Sequence, residues 1–500
     1  MDAAFTQWAP DSPDYESQTD TEALNVIPAA SSYRPFQALA TVSNSLNARA
    51  QGAFFARDLT GAGVIFAGDA TKLYTLSSGV WTDVSKGGGY STASTAQWQF
   101  CQFINDVIAV NGTDPPQVFT LGTSSAFADL GGSPPIANYC AVVRDFLVLG
   151  STSQGSSAYT GDVGPASVSW CGLGNDATWV QSQTTQADFQ TFPDGGRVQS
   201  LVGGEYLLII QEFAIRRANY ANVPQVFDFL KFSIDLGGTI PGSVCAYEER
   251  VFFIDRSGFY KIEGGQQITP IGEQRTDLYF WTQFSQANFT RVTSGCDPVN
   301  SLAVWAFPDS NTNGNGDPDH LIYHNWDVDK WAHATGQGFL EMIWGGATQT
   351  GYTMETLDTL TTNLDTFTIS LDDFSLTGVA RRLLGAFDTT HALGYFSGSN
   401  LAATVTTTET ELSKNQRSLL QCIRPIVEGT SVTPTVTLGY RNRTNDAVTN
   451  SSAVTVDSDG RCWFDVDARL MRGRIDIPAA STWTHVQGLD NAELQPSGWA

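Results

Sequence analysis

Five hundred residues and 54.0 kDa exceed one ordinary hydrophobic core, which points to two or three domains. Only 16% of residues are charged, while Gly (47), Phe (29), Tyr (15) and Trp (13) are plentiful; this excludes a disordered chain or a helical array and favours an all-β protein dense in turns. With 27 Lys and Arg against 51 Asp and Glu, the net charge of −24 excludes broad neutralisation of nucleic-acid phosphates.

Residues 1–40 differ from the rest. The first 33 carry Asp2, Asp11, Asp14, Glu16, Asp20 and Glu22 and no Lys or Arg, and Pro10, Pro13, Pro28 and Pro35 favour extended backbone. Trp8, Val26, Ile27, Tyr33 and Phe36 are sparse apolar anchors. The segment reads as an extended N-terminal arm that packs along another surface. Deleting residues 1–36 is therefore expected to leave a folded β core and to impair assembly. The start has neither a basic region nor an apolar run, so no signal peptide is expected. No stretch approaches the roughly 18 apolar residues of a membrane span.

From 41 to 375, short apolar or alternating runs are separated by Gly, Asn, Asp and Pro. Examples are Phe103-Ile-Asn-Asp-Val-Ile-Ala-Val110, Ala141-Val-Val-Arg-Asp-Phe-Leu-Val-Leu149, Arg250-Val-Phe-Phe-Ile-Asp255 and Ser301-Leu-Ala-Val-Trp-Ala-Phe307. A loose repeat of strand, turn and aromatic strand appears as Tyr74-Thr-Leu-Ser-Ser-Gly-Val-Trp81, Phe253-Ile-Asp-Arg-Ser-Gly-Phe-Tyr260 and Tyr323-His-Asn-Trp-Asp-Val-Asp-Lys-Trp331. Hairpins recurring at roughly 40–50 residues suit a β-propeller of about six to eight blades, with a large two-sheet sandwich as the competitor. The Thr-rich acidic stretch 354–375 reads as a domain boundary or a long loop. Residues 376–500 form a second, smaller β-sandwich-like domain, in which only 413–420 suits a short helix.

Candidate chemistry is sparse. His320 and His324 have i,i+4 spacing, but their flanks read as a strand, so they and His333 are expected on the surface of a hairpin. The loop from Asp309 to Asp317 alternates oxygen ligands as a calcium loop does, yet His320 stands where a bidentate Glu belongs, so it reads as a solvated turn. Neither a phosphate-cradling Gly loop nor a G-x-S-x-G nucleophile elbow is present. The adjacent carboxylates Glu248-Glu249 and Asp372-Asp373 would point to opposite faces of a strand, which does not suit a glycosidase pair. Arg216-Arg217, Arg381-Arg382, Arg441/Arg443 and Arg472/Arg474 are basic pairs suited to salt bridges within or between subunits, or to clamping an acidic partner or a phosphate. The seven Cys at 101, 140, 171, 245, 296, 422 and 462 lack any C-x-x-C and read as reduced, buried thiols. No catalytic, cofactor-binding or metal-binding residue is assigned.

Trp8-Ala-Pro-Asp11, followed by Asn25-Val-Ile-Pro28 and Tyr33-Arg-Pro-Phe36, resembles the opening of virion proteins from tailed bacteriophages. The similarity is greatest to the tail nozzle (tail tubular, tail hub) proteins of short-tailed phages. Ser169-Trp170 with Thr178-Trp179, Ser257-Gly-Phe-Tyr260, and Arg472-Gly-Arg474 ahead of Trp483 and Gly488 agree with it. The resemblance implies a non-enzymatic, β-propeller-containing subunit of a homohexameric ring below the portal and tail adaptor, near tail fibres or spikes. Such a ring retains the genome until ejection, and double-stranded DNA passes its lumen without specific binding. The protein would be synthesised in the host bacterial cytoplasm, located in the virion, and need no cofactor. Repeated acidic subunits would repel phosphates and keep the polymer from sticking. Trp8, Pro10, Asp11, Tyr33, Arg34 and Phe36 are then the candidate partner-binding residues of the arm. Alternatives are another head–tail connector or tail structural protein, and a receptor-binding or glycan-hydrolysing tail protein.

Overall fold

Alternating apolar residues give a strand one buried face, and short continuous apolar runs suit strands covered on both sides. The computed structural model, which describes residues 2–15, 17–311, 316–347, 382–414, 416–430 and 432–499, gathers such runs into an all-β fold with a seven-bladed propeller. Six blades are separate four-stranded sheets. The remaining blade (sixth in chain order) comprises Thr293–Asp297, Leu302–Phe307, His320–Asn325 and Lys330–Ala334, and belongs to a larger sheet. Its two middle strands are buried at every residue.

The inner strands begin at residues 52, 99, 136, 198, 245, 293 and 340, so four of the six intervals are 47 or 48 residues. At six of the seven joints neighbouring inner strands pack together, and the circle closes where Leu340–Ala347 meets Gly52–Arg57. Between the fourth and fifth blades the joint is an apolar cluster containing Leu208, Ile210, Val251 and Phe253. The seventh blade takes its outermost strand, Gln37–Ser45, from the other end of the chain, paired to Ala392–Asn400. Asn44 N–H then donates to Gly79 O of the first blade at 2.9 Å, tying the closure shut.

Two sheets packed face to face form the second unit. One contains Val26–Pro28, Tyr33–Pro35, Trp483–Trp499, Gln416–Gly429 and Cys462–Ala468, with Asp2–Ala4 also on Trp483–Trp499. The other contains Ala403–Thr407, Leu470–Ile477 and Thr435–Arg441, and continues through Asp20–Leu24 into the sixth blade. Val405, Ile475 and Val436 from one sheet meet Leu420, Val466 and Val486 from the other in a single core. Leu24 pairs in parallel with His333 of the blade, while Asp20–Leu24 runs antiparallel to Ala403–Thr407. One strand of the N-terminal segment is thus the splice between propeller and sandwich.

Three expectations are corrected. Arg382–Asp388 and Ala392–Asn400 belong to the seventh blade, so the boundary drawn at 375/376 moves to between Asn400 and Ala403. The stretch 354–375 lies outside the described residues, between two paired strands. Likewise the 40/41 boundary cuts the strand Gln37–Ser45. Finally, no helix is found among the described residues of 413–420: Gln416–Gly429 is a strand in which Ser418, Leu420 and Cys422 alternate toward the core. The α-helix among the described residues is Asp277–Gln283. No helix among them is long and apolar enough to cross a membrane.

Candidate functional site

Trp8 is 1% exposed and stacks on His333 with ring centroids 4.6 Å apart. Its other neighbour is Tyr279 of the helix, edge-on at 5.0 Å. Three residues later, the Asp11 carboxylate accepts the backbone N–H groups of Leu278 and Tyr279 at 2.8 Å each. The first turn of a helix exposes unsatisfied N–H groups that favour a negative charge, and Thr276, at the cap position, supplies no side-chain bond. Asp11 therefore caps a helix more than 260 residues away in sequence. Pro10 stands at the turn between these two contacts.

The helix is seated from its other side by the turn that carries Gly258. A Cβ at Gly258, where φ is +138°, would lie 2.1 Å from the Asp277 carboxyl, so only glycine admits this approach. Phe259 N–H donates to Asp277 Oδ1 at 3.0 Å. Burial, with no cation among its influences, pushes the Asp277 carboxyl up to about 6.

Under Trp8 lies a relay of buried polar groups. His320 Nε2 and His333 Nδ1 are 3.0 Å apart, His333 Nε2 meets Glu22 Oε1, and Tyr279 Oη lies 3.3 and 3.4 Å from the two imidazoles. The rings of His320 and His333 stack with planes 6° apart, and Phe307 stacks on His320. Burial first, and then its His333 neighbour, lower the His320 pKa to about 3, so it is neutral near pH 7. The histidines expected on a hairpin surface are thus buried, at 8% exposure for His320, 1% for His324 and 5% for His333. His333 is covered by Trp8 and Glu22, contributed by a remote part of the chain, whereas His324 is packed by Phe252 and Trp331.

Asp20 is the second buried polar centre. Its Oδ2 accepts Tyr33 O–H and Thr6 N–H at 2.8 Å each, and burial raises its pKa to about 7. Phe36 stacks on Tyr323 at 5.2 Å, while Tyr323 O–H donates to Val26 O at 2.7 Å. Arg34 sits half-buried on the strand Tyr33–Pro35. The N-terminal segment is extended, but Trp8, Asp11, Tyr33 and Phe36 are spent on the segment's own chain rather than presented to a neighbour. The physical reason is that blade and sandwich each have an uncovered apolar face that these side chains fill.

The other singled-out motifs are structural. Arg216 pairs with Asp194, Arg217 lies 4.0 Å over the Tyr206 ring, Arg441 forks onto buried Glu409, and Arg474 grips Asp476. Arg472 lies 4.0 Å from Asp14, and Arg382 covers Tyr247. Glu248 and Glu249 are exposed at a hairpin tip. Residues 312–315, Asp372, Asp373 and Arg381 lie outside the described residues. Among the described residues no group of three or more His, Cys, Asp or Glu is placed to hold a metal ion. All seven cysteines are buried. Four of them, Cys101, Cys140, Cys245 and Cys296, occupy inner strands of four blades, a recurrence visible in the sequence and missed there. The aromatic hairpins at 74–81 and 323–331 each join the third and fourth strands of their blades, whereas that at 253–260 joins the second and third.

No family model matches the sequence, and no curated protein matches it. Among solved structures the chain is similar to BamB from Moraxella catarrhalis, at 10% identity over 74% of this chain and 93% of that one, with a TM-score of 0.35. It is also similar to the WD40 domain of Pan2 from Neurospora crassa (7%, 74% and 98%, 0.38) and to BBS1N in complex with ARL6DN (9%, 72% and 96%, 0.42). At these scores the likeness adds nothing to the fold read from strand pairing.

Proposed function

We propose that this protein is a structural virion subunit, the tail nozzle or hub of a short-tailed phage, and not an enzyme. In this reading identical copies, six in number, close into a ring that continues the DNA channel below the portal and adaptor. One observation carries it: stretches behind the resemblance, far apart in sequence, converge on one junction. Trp8-Ala-Pro-Asp11 and Ser257-Gly-Phe-Tyr260 both hold the helix Asp277–Gln283. Asn25 N–H donates to His333 O at 2.8 Å, Tyr33 pairs with Val486, and Arg472 and Arg474 lie in the strand next to Ala403–Thr407. These residues form one clasp, so the resemblance concerns a coherent piece of structure.

A clasp that welds propeller to sandwich suits a subunit that must bear load as packaged DNA pushes on it. The propeller's own axis ends in a cavity of about 250 Å³, far too small for a duplex, so the conduit is the space enclosed by the copies. The subunit charge of −24, repeated around that space, repels phosphates and keeps transit from stalling. Light scattering of the purified chain and class averages of its particles test the reading. Six-fold rings with an open bore are expected. A stable monomer at high concentration, or a trimer, would overturn it, and the trimer would favour a receptor-binding tail protein.

A further inference from the structure

The cavity on the propeller axis is walled by residues from, or leading into, the inner strand of every blade. Most of the wall is neutral. Two guanidinium groups break that pattern, Arg49 before the first blade and Arg291 before the sixth. Both lean on one carboxylate at marginal range: Arg49 Nε is 3.4 Å and Arg291 Nη1 4.0 Å from Asp317 Oδ1. Arg49 Nη2 also donates to Glu341 O at 2.6 Å. The Glu341 carboxylate, which lines this wall, is engaged by Ala50 N–H and by His391. Arg291 Nη1 is buried and has no hydrogen-bond partner among the described residues.

Two largely buried cations on the cavity wall therefore share one distant carboxylate, and Nη1 of one of them is left without an acceptor. A buried guanidinium left short of acceptors is costly, and its planar fork is matched by a group bearing two or more anionic oxygens. Burial first, and then repulsion from Arg291, lower the Arg49 pKa, which an anion between the two would reverse. The space admits an ion of phosphate size with a few waters, at about 30 Å³ per water.

We propose that this end of the propeller channel is a binding site for a small oxyanion, held between Arg49 and Arg291. It is independent of the ring assembly proposed above, since every residue comes from one chain.

Isothermal titration of the full chain with inorganic phosphate, in chloride buffers of matched ionic strength, tests it. One saturable site per chain is expected, together with an upward shift of the melting temperature. Arg291→Gln should weaken phosphate about tenfold or more, since charge-assisted bonds to a buried ion are lost. Arg291→Lys keeps the charge, loses the fork, and should weaken binding by a smaller factor. Arg144→Gln, on an exposed pair with Glu205 of the third and fourth blades, should bind as the parent does. Absence of saturable heat and of any anion-specific melting shift in the parent protein would overturn the site. So would an R291Q or, where that variant fails to fold, an R291K protein that binds phosphate as tightly as the parent.

Discussion

The third and sixth blades share a four-stranded plan but are held in place by different means. Every strand of the third blade comes from residues 136–191, and its apolar faces are covered by adjacent blades. The sixth blade is covered by Trp8, Val26 and Phe36, capped through Asp11, and extended by Asp20–Leu24 into another domain. The first arrangement spreads stability over many local contacts. The second concentrates it in a few residues at the far end of the chain, where single changes have large effects.

Deleting residues 2–36 is the strongest way to break that contrast. It removes a strand from the middle of a continuous sheet and exposes the shared core, so the sandwich and sixth blade should lose their cooperative transition. This replaces the expectation of an intact β core lacking only assembly. Limited proteolysis should cut first after residue 400, while the blades formed by 52–270 stay protected.

Trp8→Ala is the sharpest single test. Removing a fully buried Trp costs about 3–5 kcal/mol, and denaturant unfolding should show a loss of that size. The same truncation at an exposed apolar residue of the third blade, Val180 at 62% exposure, should be nearly neutral.

Asp20 adds a pH signature. Its folded pKa of about 7 stands above the unfolded value of 3.8, so the folded state keeps a proton that the unfolded chain has released. Its contribution is full below pH 4 and is lost as pH rises toward 7, by roughly 4 kcal/mol at most. Asp20→Asn should remove this pH dependence, so that the stability difference between the two proteins changes with pH across that window. His320 acts in the opposite sense: with a folded pKa of about 3 against 6.5, its contribution is full above pH 6.5 and disappears on acidification toward 3.

Asp11→Ala should cost about 1 kcal/mol through the lost helix cap. Arg144→Ala, which breaks an ion pair at 44% and 75% side-chain exposure, should change stability by less than about 1 kcal/mol. Chemical denaturation resolves both, and an Asp11 effect no larger than that of Arg144 would erase the distinction between the two regions.

Much of the strand content was legible because strand formation is a local matter. Arg250-Val-Phe-Phe-Ile-Asp255 coincides with the strand Arg250–Asp255, and the run ending at Phe307 with Leu302–Phe307. The boundary near 375 failed because a polar, Thr-rich stretch looks like a linker whether it joins domains or two strands of one blade. The helix at 277–283 is seven residues long and owes its start to Asp11, so no local cap announced it. Trp8, Asp11, Tyr33 and Phe36 were legible as anchors, but what they anchor to was not.

Composition and alternation by themselves determined an all-β chain built from recurring hairpins with an acidic, proline-marked beginning, because these depend on side-chain size and φ preference within a few residues. Only the tertiary structure decided that the beginning closes the seventh blade, splices two domains and buries His333 and Asp20. Those outcomes depend on which apolar faces remain uncovered once the circle of blades has formed, and residues hundreds of positions apart set that together.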